Sequence, residues 1–181
     1  MIISYKKLLN NYFLIYKIIM SSYKYILVAV LSNQCGHCVN FKANHSDYLQ
    51  ELINKRSDLK LLMIETPTLS SGIPSKYPKS LKNYVSWYPT FVLFPKDSWS
   101  KSIVSDIPLA HGAVFNGKID KNGKLEYENS GKQLNAESII EWVDSKIKSG
   151  SVLPLKAKYS FNQSQNEYLV PTTNLYNKIS K

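Results

Sequence analysis

The chain has 181 residues, of which 44% are hydrophobic and 20% are charged. This balance excludes an intrinsically disordered chain, and the length allows one packed domain but not two of ordinary size. The net charge of +10 comes almost wholly from lysines spread along the sequence. Phosphate-binding surfaces usually cluster arginines or set basic residues beside stacking aromatics, so we expect no specific nucleic-acid partner.

The first predicted element is an N-terminal strand or helix within residues 1–22. Residues 8–20 carry apolar side chains at helical spacing after two lysines, a pattern that also suits a signal peptide or a membrane anchor. Asn10, Asn11 and Lys17 interrupt the apolar run, so the pattern favours an amphipathic helix over a targeting segment. Membrane association through this segment is an alternative that we do not favour.

The next elements form a strand–helix–strand unit. Residues 25–31 are an unbroken apolar and β-branched run, which is typical of a strand buried on both faces. Apolar residues at helical spacing follow from Val39 to Ile53, and residues 59–64 predict a second buried strand. A helix that connects two strands of one sheet implies that the strands are parallel.

The middle of the chain alternates turns with short elements. Three prolines between residues 67 and 78 predict a loop, and a short helix is predicted around residues 81–85. Residues 91–94 predict a further apolar strand. Residues 95–123 contain Pro, Ser and Gly together with two Asn-Gly turn pairs, so they predict an inserted loop or hairpin.

The predicted domain closes with a strand and a helix. The sheet is expected to resume over residues 124–127, and Asn135 can cap a final helix whose apolar residues share one face up to Ile147. Residues 149–181 are rich in Ser, Asn, Gln and Lys without periodicity, which predicts a polar, flexible tail. The sequence thus predicts one domain over residues 23–148 with an extension at each end.

The sequence contains two cysteines, Cys35 and Cys38, placed where the first strand gives way to the helix. So close a pair cannot cross-link distant segments, so the cysteines predict a local chemical site rather than a structural disulfide framework. A structural zinc site would need two further ligands, and no second cysteine pair is present to complete it. We therefore expect neither a metal nor a cofactor.

The position of the cysteine pair suits thiol–disulfide chemistry. A thiol is nucleophilic only as thiolate, and the unpaired N–H groups and aligned dipoles of a helix N-terminus favour that negative charge. Cys35 is predicted at such a terminus, where an imidazolium at His37 would stabilise the thiolate further. Cys38 is within disulfide distance and can attack a mixed disulfide formed at Cys35. The predicted catalytic residues are Cys35, Cys38 and His37, and the Cys35–Cys38 pair is the predicted redox-active disulfide.

These residues carry a resemblance to a known family. The run from Cys35 to Cys38, CGHC, follows a buried strand and resembles the active site of protein disulfide isomerase, within the thioredoxin superfamily. Tyr88 and Pro89, which precede the strand at residues 91–94, are similar to the cis-proline turn of that family, which lies beside the active cysteines. The resemblance extends over roughly residues 23–148, apart from the predicted insertion.

The resemblance implies an α/β thioredoxin fold with three layers, α/β/α, around a central mixed sheet of four to five strands. It implies an oxidase- or isomerase-like thiol-disulfide oxidoreductase that acts, as a monomer, on protein thiols and disulfides. Tyr88 and Pro89 would present backbone for strand-like pairing with the substrate, and Gly36 is assigned to the same substrate-binding surface.

Three positions depart from the pattern of the family. Ala29 stands where the family commonly has a buried acidic residue that helps the second cysteine lose its proton. Gln34 replaces the tryptophan that usually precedes the first cysteine, and Lys132 replaces an arginine of the isomerase domains. Ala29 and Gln34 motivate an alternative function, a thioredoxin-fold binding module with weak redox turnover. A glutaredoxin-like enzyme is a third hypothesis, but the paired glycines that follow the proline strand in that family are absent.

The sequence leaves the compartment open. The CGHC run and a signal-like N-terminus fit an oxidising lumen of the secretory pathway, whereas the absence of a structural disulfide fits the cytoplasm. The abundance of Lys, Asn and Ile also fits a product of a large DNA virus.

Overall fold

The computed structural model describes residues 22–120 and 124–152. The signal-like or amphipathic segment, most of the polar tail and the Asn122-Gly123 turn, all expected from the sequence, lie outside the described residues. The elements are, in chain order, β1 (Tyr25–Ser32), α1 (Gly36–Asn44), α2 (Ser46–Asn54), β2 (Leu59–Thr66), a 3₁₀ helix (Lys79–Tyr84), β3 (Thr90–Pro95), α3 (Lys96–Ser105), β4 (Ala113–Val114), β5 (Gly117–Ile119), β6 (Leu125–Tyr127) and α4 (Ala136–Lys148).

The main sheet has four strands in the order β2-β1-β3-β4. β1 pairs in parallel with β2 along its whole length, from Tyr25 opposite Leu59 to Ser32 opposite Thr66, and it pairs antiparallel with β3. β4 adds a short antiparallel edge to β3. The predictions of an α/β protein with a mixed sheet of four to five strands, and of a parallel strand–helix–strand unit, are confirmed.

The central strand β1 is buried along both of its faces, as its apolar run predicts. Because side chains alternate across a strand, its residues enter two apolar clusters. Leu27, Ala29 and Leu31 join the cluster beneath α1, α2 and α4, which we call the site face. Ile26 and Val28 join the cluster beneath the 3₁₀ helix and α3, which we call the opposite face. Helices therefore cover the sheet on both sides.

The predicted single helix between Val39 and Ile53 is two helices. α1 and α2 meet at His45, whose backbone is not helical (φ −133°, ψ −20°). The His45 N–H still bonds to the Phe41 carbonyl, and the Leu49 N–H bonds to the His45 carbonyl. Phe41 and Leu49 are both buried on the site face, so apolar residues keep their helical spacing across the break at His45. The sequence pattern therefore gives no sign of the break.

The first part of the predicted loop or hairpin at residues 95–123 is a helix, so that prediction is wrong there. Pro95 precedes α3 with the φ of −61° that its ring favours, and Asp97 places a negative charge in the first turn. The buried side of α3 is formed by Ser98, Trp99 and Ser102. Two serines thus stand where a recognisable amphipathic helix would have apolar residues.

In the second part of this region β5 pairs antiparallel with β6, which lies beyond residue 123, so the hairpin exceeds the predicted bounds. These two strands make a separate two-stranded sheet. The expectation that the main sheet resumes over residues 124–127 is therefore wrong. β3 already has β4 as its outer neighbour, and the Phe115 N–H continues this edge by bonding to the Phe91 carbonyl.

The final helix and the short helix before β3 are confirmed. The side chain of Asn135 caps α4 by accepting a hydrogen bond of 2.8 Å from the Ser138 N–H. Ile139, Trp142 and Val143 of α4 then pack into the site face. No helix within residues 22–120 and 124–152 has the length and apolar character needed to cross a bilayer.

Candidate active site

Cys35 lies between the end of β1 and the first residue of α1. Its N–H bonds to the Ser32 carbonyl at 3.1 Å, and its extended backbone (φ −95°, ψ 115°) makes it the N-cap of α1. The Cys35 sulfur accepts a hydrogen bond of 3.3 Å from the Cys38 N–H, so it occupies the place of a capping oxygen. The first turn of α1 contains no acidic residue that would offset the positive end of the helix dipole.

Cys38 lies one turn further along α1, and its side chain is wholly buried in the site-face cluster. The Ser32 N–H donates a hydrogen bond of 3.4 Å to its sulfur. Burial, and then the hydrogen bond shared with the Cys35 side chain, raise the pKa of Cys38 to about 12, although the Ser32 N–H acts in the opposite direction. Cys38 is therefore a neutral thiol near pH 7, and Cys35, which is partly exposed, is the sulfur that a substrate can reach.

The sheet register brings the proline turn next to Cys35. β1 and β3 are antiparallel, with Val30 opposite Thr90, so the end of β1 lies beside the start of β3. The Cys35 thiol donates a hydrogen bond of 3.4 Å to the Tyr88 carbonyl, across 53 residues of sequence. The Tyr88–Pro89 peptide bond is cis, as the sequence predicts.

Gly36 and His37, the remaining predicted site residues, form the exposed first turn of α1. A β-carbon added at Gly36 would meet no atom within 4 Å, so the surface beside Cys35 is open. Val39 is 54% exposed on the same helix, although its apolar character placed it in the predicted buried pattern. Ser32 was not predicted as a site residue, because it acts on Cys38 through its backbone N–H and side-chain patterns carry no signal for that role.

The three departures from the family pattern have distinct surroundings. Ala29 is wholly buried in the cluster that contains Cys38, so that position supplies a methyl group and no carboxylate. Gln34 is exposed directly before Cys35. The Lys132 amine lies 3.6 Å from the Glu141 carboxylate of α4.

Within the part of the chain that the structure describes, no group of three or more His, Cys, Asp or Glu side chains could hold a metal ion. No protein-family model matches the chain, and no curated protein matches it either. The site itself therefore provides the evidence for a function. It combines a reachable sulfur at a helix N-terminus, a buried second sulfur one turn away and, beside the first sulfur, the backbone carbonyl of the turn at Tyr88 and Pro89.

Proposed function

We propose that the protein is a thiol-disulfide oxidoreductase, protein disulfide isomerase-like, that acts as a monomer on protein disulfides. The observation that carries this proposal is the position of the Cys35 sulfur, 3.3 Å from the Cys38 N–H and 3.4 Å from the Tyr88 carbonyl. A thiolate at this position accepts a backbone hydrogen bond and faces the positive end of α1. It also has its reaction partner, Cys38, on the next turn of the helix.

The proposed cycle begins when the Cys35 thiolate attacks a substrate disulfide. One substrate sulfur leaves as a thiolate, and a mixed disulfide joins Cys35 to the other. Cys38 then attacks the Cys35 sulfur, which releases the substrate as a dithiol and leaves a Cys35–Cys38 disulfide. In the reverse direction the oxidised pair donates its disulfide to a substrate dithiol.

A thioredoxin fold is part of the proposal. It is supported by the sheet order β2-β1-β3-β4, by helices on both faces and by cysteines that directly follow the central strand. The turn at Tyr88 and Pro89, directly before the antiparallel neighbour of that strand, is further support.

Substrate binding is proposed on the open surface around Cys35. Gly36, His37 and Val39 are exposed on α1, while Tyr88 supplies backbone at the other side of the sulfur. An extended substrate segment can pair with such backbone while its disulfide lies over Cys35.

The matched variants Cys35→Ser and Cys38→Ser test the proposed function. Both should lose catalysed insulin reduction by dithiothreitol, but only Cys38→Ser should retain a mixed disulfide with substrate, because Cys35 is the attacking sulfur. Intact-mass analysis after acid quenching measures the adduct. An adduct on Cys38 in the Cys35→Ser variant, or unchanged turnover in either variant, would contradict the assignment.

The role of His37 is tested by His37→Asn with His111→Asn as the matched control. Both histidines are exposed, and the positive φ of 58° at His111 is one that asparagine tolerates. An imidazolium at His37 stabilises the reduced pair, so its loss should make the couple more reducing. Titration in glutathione buffers measures the reduction potential of the Cys35–Cys38 couple. This potential should fall for His37→Asn and stay unchanged for His111→Asn.

A second candidate function, a binding module with weak redox turnover, is favoured by one observation. Cys38 and Ala29 are buried in the same apolar cluster, and the Ala29 side chain offers no carboxylate to take the proton of Cys38. For a module of this kind, Cys35→Ser should leave partner capture and biological function unchanged, whereas the enzyme loses its function with that thiol.

A further inference from the structure

We propose that removal of the proton from Cys38 limits substrate release, so that the protein holds substrates as long-lived mixed disulfides near neutral pH. The inference rests on the proposed function and concerns its second step, the attack of Cys38 on the mixed disulfide. The structure supports it through the surroundings of the Cys38 sulfur.

The Cys38 side chain has two polar contacts in the described structure. The Ser32 N–H, at 3.4 Å, is a donor and cannot accept a proton. The other contact is the Cys35 side chain. The wholly buried Cys38 side chain otherwise belongs to the apolar cluster of the site face, whose members from β1, β3, α1, α2 and α4 include Leu27, Ala29, Leu31, Phe41, Leu49, Phe91 and Ile139.

The titratable groups around this cluster do not replace a base. Within the described residues they are the phenols of Tyr25 and Tyr88, the Cys35 thiol, the His45 ring against Phe41, and the Lys42–Glu65 pair of α1 and β2. Glu65 lies opposite Leu31 on the site face, but its carboxylate is 44% exposed and is bonded to the Lys42 amine at 2.8 Å, and it has no hydrogen bond to Cys38. Tyr25 lies at the opposite end of β1 from Ser32, and burial raises its pKa. Tyr88 meets the site through its backbone carbonyl. A neutral phenol already carries its own proton, so neither tyrosine is suited to take one from Cys38.

The Cys35 sulfur serves as a proton acceptor only before substrate binds. In the reduced protein a Cys35 thiolate can accept a hydrogen bond from the Cys38 thiol. Once Cys35 is bonded to a substrate sulfur it has no negative charge, so the acceptor is consumed in the first step of the reaction. The Cys38 proton must then pass to water or hydroxide from a side chain that is wholly buried.

Before the release step, the Cys38 proton passes to hydroxide and forms water. The Cys38 thiolate attacks the Cys35 sulfur, the bond between Cys35 and the substrate breaks, and its electron pair leaves on the substrate sulfur, which takes up a proton. The protein is oxidised to the Cys35–Cys38 disulfide and the substrate disulfide is reduced by two electrons. Only the fraction of Cys38 that is thiolate reacts, so the rate should follow the hydroxide concentration.

The experiment uses the full reduced chain and a peptide with an activated disulfide, mixed at pH 6.0 to 8.5, acid-quenched and weighed. The mixed disulfide at Cys35 should accumulate at neutral pH, and its decay should accelerate about tenfold per pH unit, as the thiolate fraction does below its pKa. Ala29→Asp would add a buried acceptor to the same face of β1. It should speed release at pH 7 at least about tenfold and flatten the pH profile. The near-isosteric Ala29→Asn should do neither.

Two results separate this inference from the proposed function. If the adduct forms on Cys35 but decays at a rate independent of pH, the inference is overturned and the oxidoreductase assignment stands. If the Cys35–Cys38 disulfide forms with no detectable adduct, the inference alone is overturned, and if neither the adduct nor that disulfide forms, both fail. The wild-type pH profile decides the matter even where the Ala29 variants do not fold, and equal acceleration by Asp and Asn would also overturn the inference.

Discussion

The two faces of the sheet bury their polar groups in different ways. The site face surrounds Cys38 with apolar side chains, and the sulfur receives one backbone hydrogen bond, from Ser32. On the opposite face, hydroxyl groups secure the chain that follows α3. Ser98 donates to the Ala110 carbonyl and accepts from the Ala110 N–H, both at 2.9 Å, while Tyr84 donates to the Leu109 carbonyl at 3.1 Å.

Under the proposed function, this difference separates the residues that would take part in thiol exchange from residues that stabilise the fold. Alternate residues of β1 serve the two faces, so one side of the strand packs in the cluster that contains Cys38 and the other packs in the cluster beneath the 3₁₀ helix and α3. We therefore expect substitutions on the opposite face to change the free energy of unfolding and leave thiol exchange unaltered. Substitutions at Gly36 and His37, the exposed residues beside Cys35, should do the reverse.

The largest effect is expected for Trp99→Ala on the opposite face. Trp99 is 1% exposed and its ring centroid lies 5.8 Å from that of Phe94. Its removal should lower the free energy of unfolding by about 3–5 kcal/mol through lost burial and a residual cavity. Urea denaturation measures the free energy of unfolding. Trp99→Phe should lose less of it than Trp99→Ala. A changed alkylation rate at Cys35 in the folded variant would contradict the expectation that substitutions on the opposite face leave the cysteines unaffected.

A smaller effect is expected for Gly112→Ala, with Gly36→Ala as its matched control. A β-carbon at Gly112 would lie 2.4 Å from a ring carbon of Phe94 and 2.6 Å from one of Tyr84. Relief of this overlap should cost about 1–3 kcal/mol. Gly36→Ala meets no atom within 4 Å, so its stability should change by less than about 1 kcal/mol. Equal thermal shifts for the two variants would show that the packing around Gly112 is looser than described.

The smallest effect is expected for the ion pairs of Arg56, which connect the start of β2 to α4. The Arg56 guanidinium bonds to Asp58 at 2.9 Å and to Asp144 at 2.5 Å. The hydrogen bond from Arg56, more than its charge, lowers the pKa of Asp58 from its ordinary 3.8. A carboxyl with a lowered folded-state pKa stabilises the protein above pH 3.8, and that contribution is lost as the pH falls through the folded pKa.

Arg56→Gln should therefore destabilise the protein by about 1 kcal/mol or less at pH 7, because these groups are partly solvated. Its stability should also fall less steeply than that of the wild type below pH 4. Chemical denaturation at pH 7, 4 and 3 provides the comparison. Parallel acid profiles for the two proteins would mean that the Arg56 pairs do not hold Asp58 ionised.

The sequence was most informative where one residue type has one structural use. The apolar run at residues 25–31 predicted the central strand, and Cys35 with Pro89 predicted the two sides of the site. The sequence did not predict α3, because the buried side of this helix includes the polar residues Ser98 and Ser102 in place of apolar ones. It also could not show the break at His45 or the exposure of Val39, since apolar spacing does not depend on either.

The central claim, that Cys35 is the reachable sulfur and Cys38 the buried one, is tested most directly by site-resolved alkylation. Reduced full-length protein is treated with iodoacetamide at pH 7, quenched at intervals and analysed by peptide mass spectrometry. We predict that Cys35 reacts at least about 100-fold faster than Cys38 in the folded protein, and that the two rates converge in denaturant. Equal rates in the folded protein, or faster reaction at Cys38, would contradict the claim.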